Sequence, residues 1–263
     1  MSADLWKGFV PRLDSSRDAV LLSVVVPVYN EAATVEDLLR RVRRVPLRVE
    51  VIAVDDASTD GTREILRRLE GEGVVDRLLL HERNLGKGAA LQNAFDVVRG
   101  ALVVVQDADL EYDPQDIPDL LGPILAGRAE AVFGSRFLGT VDPPHLFWHA
   151  LGNRLLTSLS NVFTGLGLTD METCYKVVRA DLLATLPLRA RRFGIEPELT
   201  ARLAQAKARV REVPIRYHGR SYSEGKKIGW KDGIAALWHI VRSNLFPPRA
   251  RPWKRPDRAP WEV

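Results

Sequence analysis

The sequence predicts an α/β fold: a doubly wound, mostly parallel sheet followed by a C-terminal helical region. Short Val/Ile/Leu-rich runs recur through residues 20–135 without polar alternation, as in strands buried on both faces. Stretches of helical periodicity separate them, at the spacing of βα units. Strand after strand also ends in acidic or amide residues.

The strands expected are 20–29, 49–55, 75–81, 101–107 and 130–135, and the helices between them 34–45, 60–70, 87–98 and 114–126. Asp60 and Asp113 stand where N-caps belong, and Pro114 at a first helical position. Beyond residue 135 a long helix (145–163), a strand (174–179), a helix (196–206) and a last helix (228–246) follow. Residues 211–218 read as an edge strand, because Pro214 cannot donate to a ladder. Five prolines and many arginines after residue 246 predict a disordered basic tail over 247–263. Residues 1–19 read as a flexible arm. The folded domain is therefore expected over 20–246, with halves at 20–135 and 136–246.

Composition narrows the function. With 263 residues and 46% hydrophobic content the chain can bury a core, and one cysteine, Cys174, leaves no intramolecular disulfide. No secretory leader and no run of 18 apolar residues is present, so the expected place is the cytoplasm. Charge is uneven: residues 1–200 hold 23 Lys/Arg against 29 Asp/Glu, and residues 201–263 hold 15 against 5. A basic C-terminal part calls for an anionic partner or a solvated basic face. No nucleic-acid recognition motif accompanies the basic tail, so nucleic acid is not the expected partner.

In open α/β sheets ligands bind beyond the carboxyl ends of the strands. Those ends carry Pro27, Tyr29, Asn30 and Glu31 after the first strand and Asp55 and Asp56 after the second. Gln106, Asp107, Asp109 and Glu111 follow the fourth. Clustered carboxylates need a cation or a donor-rich ligand. Hard oxygen donors point to Mg²⁺ or Mn²⁺ bridging a diphosphate. The first strand lacks the G-x-G-x-x-G turn, which disfavours a dinucleotide-binding dehydrogenase. NLGKGAA (84–90) is not a full phosphate loop, yet it places Lys87 at a helix N-terminus as a phosphate-facing turn.

The motifs VVVPVYNE, VDDASTDGT, NLGKGAA and DADLEYDP resemble the nucleotide-sugar half of family 2 glycosyltransferases with a GT-A fold. FGSRF (133–137), LTDMETCYKVVR (168–179) and RYHGRSYSEGKKIGWKDG (216–233) narrow the likeness to dolichol-phosphate mannosyltransferases and related polyprenyl-phosphate glycosyltransferases. It covers about residues 20–245. The resemblance implies that Pro27, Tyr29, Glu31 and Asp56 hold the base and ribose of a GDP- or UDP-hexose. Asp55, Lys87 and Gln106 are counted with that donor site. It implies a metal on Asp107, Asp109 and Glu111, although such relatives often carry Gln in place of Glu111. Many also carry C-terminal transmembrane helices, for which this sequence has no matching run.

An inverting transfer of mannose- or glucose-class sugar to a polyprenyl phosphate follows as the leading expectation. A phosphate acceptor is already anionic and needs cations: Arg136, Arg154, Arg220, Lys226 and Lys227 are the candidates. Asp107, Asp109, Asp170, Arg136 and Arg220 form the expected catalytic set, with Asp170 either a base or a positioning group. Glu196 and Glu198 open a helix and could line the site. Transfer to a sugar hydroxyl is the alternative, and a nucleotide-sugar-binding module is one from another class. Trp230, Ile234, Leu237, Val241 and Leu245 form one helical stripe, which predicts either packing on the sheet or peripheral attachment to the cytoplasmic face of a membrane.

Overall fold

The computed structural model describes residues 22–138, 147–219, 230–248 and 253–256. Seven strands form one sheet: β1 (Leu22–Val28), β2 (Val49–Asp55), β3 (Arg77–Leu80), β4 (Leu102–Val105), β5 (Ala131–Ser135), β6 (Lys176–Arg179) and β7 (Val210–Pro214), in the order β3-β2-β1-β4-β6-β5-β7. β1 pairs in parallel with β2 and with β4, Val25 facing Ile52 on one side and Val105 on the other. β7 is the expected edge strand, parallel to β5, with Pro214 as its last residue. β6 departs from the parallel pattern: it runs antiparallel to both β4 and β5.

Helices α1 (Val35–Arg43), α2 (Thr62–Gly71), α3 (Lys87–Phe95) and α4 (Ile117–Leu125) cover the first half. α1 buries Val35, Leu38, Leu39 and Val42, one stripe at helical spacing. Asp113 caps a 3₁₀ turn, Pro114–Asp116, by accepting from Gln115 N at 2.9 Å. Asp60 does not hold the N-cap position of α2, which falls to Gly61 at φ 96°; its carboxylate nevertheless accepts from Thr62 N at 3.1 Å. In the second half lie α5 (Phe147–Thr164), the short α6 (Ala180–Leu183), α7 (Ile195–Gln205) and α8 (Trp230–Leu245). The core is a continuous apolar layer in which Cys174 is buried, as expected.

Two features depart from the expected boundaries. Within the tail that composition marks as disordered, the described residues 253–256 lie against the fold. Trp253 packs on the core and Arg255 Nε donates to Glu130 Oε1 at 2.8 Å. α8 turns Ala236, Ile240 and Ser243 inward, while Ile234, Leu237 and Leu245 of the stripe are exposed, as are Trp238 and Phe246 beside it. Most of the stripe read from sequence is therefore not packed on the sheet. No helix among the described residues is long and apolar enough to cross a membrane.

Candidate active site

Strand order reverses beside β1, which has β2 on one side and β4 on the other. The loops leaving β1, β2 and β4 meet there, and each contains a non-glycine residue in the left-handed region: Asn30, Ala57 and Leu110. Such backbone persists only where neighbours over-determine it. Asn30 N donates to Ser58 Oγ (2.9 Å), Thr59 N donates to Asn30 Oδ1 (2.8 Å), and Glu31 N donates to Thr62 Oγ1 (2.9 Å). Thr34 Oγ1 donates to Ala108 O (2.8 Å) and to Glu31 Oε2 (3.0 Å), tying the β1 loop to the β4 loop. Pro27 is half-buried at the end of β1, and Tyr29 is exposed beside it.

Three residues assigned to the donor from sequence prove to hold the site together from beneath. Asp55 is buried, accepting from Ser58 N (3.1 Å) and Arg63 Nε (2.6 Å). Asp56 binds His81 Nδ1 (2.7 Å) and accepts from the backbone N–H groups of Leu85 and Gly86, each at 2.8 Å. Its oxygens thus fasten the NLGKG turn. Gln106 is buried, with Tyr175 hydroxyl donating to its Oε1 (2.5 Å) and its Nε2 donating to Asp107 O (3.0 Å). The glycines of that turn serve a close backbone approach. A Cβ on Gly88 would lie 2.1 Å from Ala190 O, and one on Gly86 2.5 Å from Arg191 O. Their absent side chains let residues 190–191 close over α3, where Ala89 N donates to Arg191 O at 3.0 Å.

Lys87 does stand at a helix N-terminus. Its Nζ lies 2.8 Å from Asp107 Oδ1 and 2.9 Å from Glu196 Oε1. Burial opposes its charge, but Asp107 and Glu196 outweigh burial and hold its pKa well above the usual lysine range. Asp109 Oδ1 accepts from Glu111 N at 3.1 Å. Glu111 is drawn elsewhere: Tyr217 hydroxyl donates to its Oε2 at 2.7 Å, and His218 N to its carbonyl at 2.9 Å. The three carboxylates expected to share a metal do not gather, and among the described residues no three acidic, His or Cys side chains form a ligand cage. A Mg²⁺-type ion at a diphosphate takes one or two carboxylates and completes its shell with phosphate oxygens and water. Asp107 and Asp109 fit that partial donor set, and Glu111 would have to share its carboxylate with the Tyr217 hydroxyl to join them.

On the other flank Arg136 forks onto Asp170, Nε to Oδ2 at 2.7 Å and Nη2 to Oδ1 at 2.8 Å. Asp170 also accepts from Arg136 N (3.1 Å) and Asn153 Nδ2 (2.9 Å). Burial alone would raise its pKa, but the Arg136 charge and these hydrogen bonds outweigh burial and hold it below the usual range. Asp170 is consequently a poor base and a good holder of Arg136. The Arg136 guanidinium lies 5.1 Å from the Tyr217 ring centroid, and that of Arg154 lies 5.6 Å from the Phe137 ring. Arg220, Lys226 and Lys227 lie outside the described residues.

Sequence reasoning passed over Glu172, two residues beyond Asp170. Its Oε1 is buried without a partner, as are Thr173 Oγ1 and Glu196 Oε2. Burial, with the Glu196 charge adding to it, pushes the Glu172 carboxyl up to about 7. Its signal in the sequence was a second acid in the TDMET segment just before a buried strand. Glu198 is structural: it accepts from Ala190 N (2.6 Å) and Arg189 N (2.7 Å).

The chain is 31% identical over 225 residues to a dodecaprenyl-phosphate galacturonate synthase of Rhizobium johnstonii, covering 84% of this chain and 64% of that protein. It is 30% identical over 219 residues to an undecaprenyl-phosphate 4-deoxy-4-formamido-L-arabinose transferase of Aeromonas hydrophila, covering 81% and 64%. The chain thus spans under two thirds of the length of these relatives. A glucosyl-3-phosphoglycerate synthase from Mycobacterium tuberculosis, solved with Mn²⁺, uridine diphosphate and glucosyl-3-phosphoglycerate, superposes with a TM-score of 0.67. That likeness covers 89% of this chain and 87% of that one at 22% identity, and it shows the GT-A-like fold. Residues 23–186, more than half of the chain, match the model of glycosyl transferase family 2, and the chain belongs to that family.

Proposed function

We propose that this chain transfers a hexose, with inversion, from a UDP- or GDP-linked donor to a polyprenyl phosphate at a membrane surface. The observation that carries the reading is the Arg136–Asp170 pair. A hydroxyl acceptor needs a carboxylate to take its proton. Asp170 is committed to Arg136 and its pKa is held low, so it takes a proton poorly. A phosphate acceptor arrives anionic and needs an oriented cation, which the fork on Asp170 supplies in Arg136, with Arg154 close to the same aromatic ring. The names of the relatives support a polyprenyl-phosphate acceptor, while their sugars differ from one another.

On the donor side, Tyr29 and the clamped β1 and β2 loops would flank the nucleotide, and Asp107 and Asp109 would hold Mg²⁺ or Mn²⁺. A divalent cation bound there offsets the charge that develops on the leaving diphosphate. Lys87 adds a fixed positive charge at the same place and keeps Asp107 in position. The acceptor phosphate oxygen then attacks the anomeric carbon from the face opposite the diphosphate, in one displacement. The exposed Ile234, Trp238 and Phe246 of the α8 segment would lie in the lipid interface, bringing the site to a lipid-borne acceptor on the cytoplasmic face.

Glu172 favours a second reading, transfer to a sugar hydroxyl, because a carboxyl that titrates near neutrality suits a general base. A donor screen separates the two. The protein is incubated with UDP- and GDP-hexoses, Mn²⁺ and detergent-dispersed undecaprenyl phosphate, with and without EDTA, and the mixture is extracted into organic solvent. Lipid-linked sugar that disappears in EDTA is expected. Sugar transferred only to water-soluble saccharides would favour the second reading, and full activity in EDTA would remove the metal from the account.

A further inference from the structure

Three of the buried polar atoms that lack a partner belong to one neighbourhood: Glu172 Oε1, Thr173 Oγ1 and Glu196 Oε2. Glu196 is only 7% exposed, and its other oxygen is fixed 2.9 Å from Lys87 Nζ, which itself lies 2.8 Å from Asp107. The unpartnered oxygen is therefore one ammonium group away from the place where the diphosphate would be held. The segment 172–174 reaches the same strand end, since Cys174 Sγ lies 3.8 Å from the carbonyl oxygen of Val105, two residues before Asp107. Glu172 in turn feels Glu196, Lys176, Arg136 and Asp170. Glu196 is thus joined through Lys87 to Asp107, and Glu172 stands two residues beyond the Asp170 that holds Arg136, so the pair connects the donor side to the acceptor side.

Buried acceptors left without donors are costly and call for a ligand that brings donors. Lys176, the nearest cation on β6, does not supply them: its Nζ donates to Thr173 O and sits 4.9 Å from the Phe133 ring centroid. Two carboxyl groups side by side can accept from, or share protons with, the hydroxyls of a sugar. They repel a second carboxylate. We propose that Glu172 and Glu196, with Thr173 beside them, form a hydroxyl-reading subsite that selects a neutral sugar and rejects a uronic acid. This rests on the donor reading given above.

The test measures binding in the full chain, so that turnover plays no part. UDP and GDP are titrated first with Mn²⁺ by calorimetry. The nucleotide that binds is then compared as its neutral and its acidic sugar: UDP-glucose against UDP-glucuronate, or GDP-mannose against GDP-mannuronate. The neutral sugar is expected to bind at least tenfold more tightly. Glu172→Gln should shrink that gap severalfold while binding of the bare nucleotide stays the same, and Glu196→Gln should shrink it too, with any change in bare-nucleotide binding through Lys87 measured alongside and circular dichroism reporting folding. Equal or tighter binding of the uronate by the unaltered protein overturns the subsite and leaves the donor reading standing. So does a gap that neither folded variant changes, the result expected if Glu172 is only a base. If neither nucleotide binds, the donor reading fails and takes the subsite with it. Should both glutamine variants fail to fold, Glu172→Asp, which keeps the charge and withdraws the carboxyl, must still narrow the gap.

Discussion

Lys87 Nζ lies 2.8 Å from Asp107 Oδ1 and 2.9 Å from Glu196 Oε1, so one ammonium joins the start of α3 to the end of β4 and the first turn of α7. Removing it leaves buried Glu196 and half-buried Asp107 without their cation. Lys87→Met should cost about 3 kcal/mol of stability, the scale for breaking one side of a buried pair. Urea unfolding checks this, and adding Asp107→Asn to the variant should recover part of the loss. A Lys87→Met protein as stable as the parent would show that the bridge contributes nothing.

Gly88 answers to packing. A Cβ there would meet Ala190 O at 2.1 Å, backbone against backbone, with no flexible side chain to move aside. Gly88→Ala should therefore destabilise by roughly 2 kcal/mol or more, well beyond the usual surface substitution. Gly71→Ala, where nothing lies within 4 Å, should change stability little and serves as the control. Thermal melts of the two variants give the comparison.

Glu172 imposes a pH dependence whose sign follows from its raised pKa. Between 4.5 and about 7 the folded chain keeps a proton that the unfolded chain has released, so this group's contribution to stability falls as pH rises through that window. Glu172→Gln escapes the loss. The variant should gain on the order of 1–3 kcal/mol relative to the parent at pH 8 and much less at pH 5. Asp170 works in the opposite sense: its lowered pKa contributes stability that disappears as pH falls. Equal effects of Glu172→Gln at both pH values would mean that its carboxyl titrates normally.

The outer face of α8 gives a prediction about membranes. Ile234, Leu237 and Trp238 are exposed apolar residues on a helix whose inner face is already satisfied by Ala236 and Ile240. Arg242 in its last turn and the basic residues beyond supply attraction to anionic lipid. Vesicles containing phosphatidylglycerol should pull the protein down, and Ile234→Glu with Trp238→Glu should cut the bound fraction severalfold without lowering the melting temperature. Pull-down that is unchanged by the double substitution would place the lipid contact elsewhere.

The first half of the fold was legible because its strands are buried on both faces and its helices carry clear apolar stripes. The direction of β6 was not, since KVVR reads the same whether its neighbours run with or against it. The acidic strand ends were legible as a cluster, but the partners each residue takes were not. Asp56 is explained by two backbone N–H groups and His81, and Gly88 by a carbonyl about a hundred residues later. Such partners leave no trace in local spacing. Arg136 and Asp170 were each singled out, yet only the fold reveals that they form one unit and that Asp170 thereby loses its value as a base. Glu111 was named as a third ligand from the resemblance, and the sequence carried no sign that Tyr217, brought near by an isolated bridge between Tyr112 and Tyr217, donates to its carboxylate.

The central claim is that the nucleophile is a phosphate held by Arg136. The most direct measurement compares undecaprenyl phosphate with undecaprenol as acceptor for the same labelled nucleotide sugar, in the parent protein and in Arg136→Ala. Transfer to the phosphate alone is predicted, with Arg136→Ala lowering kcat/KM for the lipid by roughly 10²-fold while donor hydrolysis changes far less. Equal transfer to the alcohol, or an Arg136→Ala enzyme that handles the lipid phosphate normally, would contradict the account.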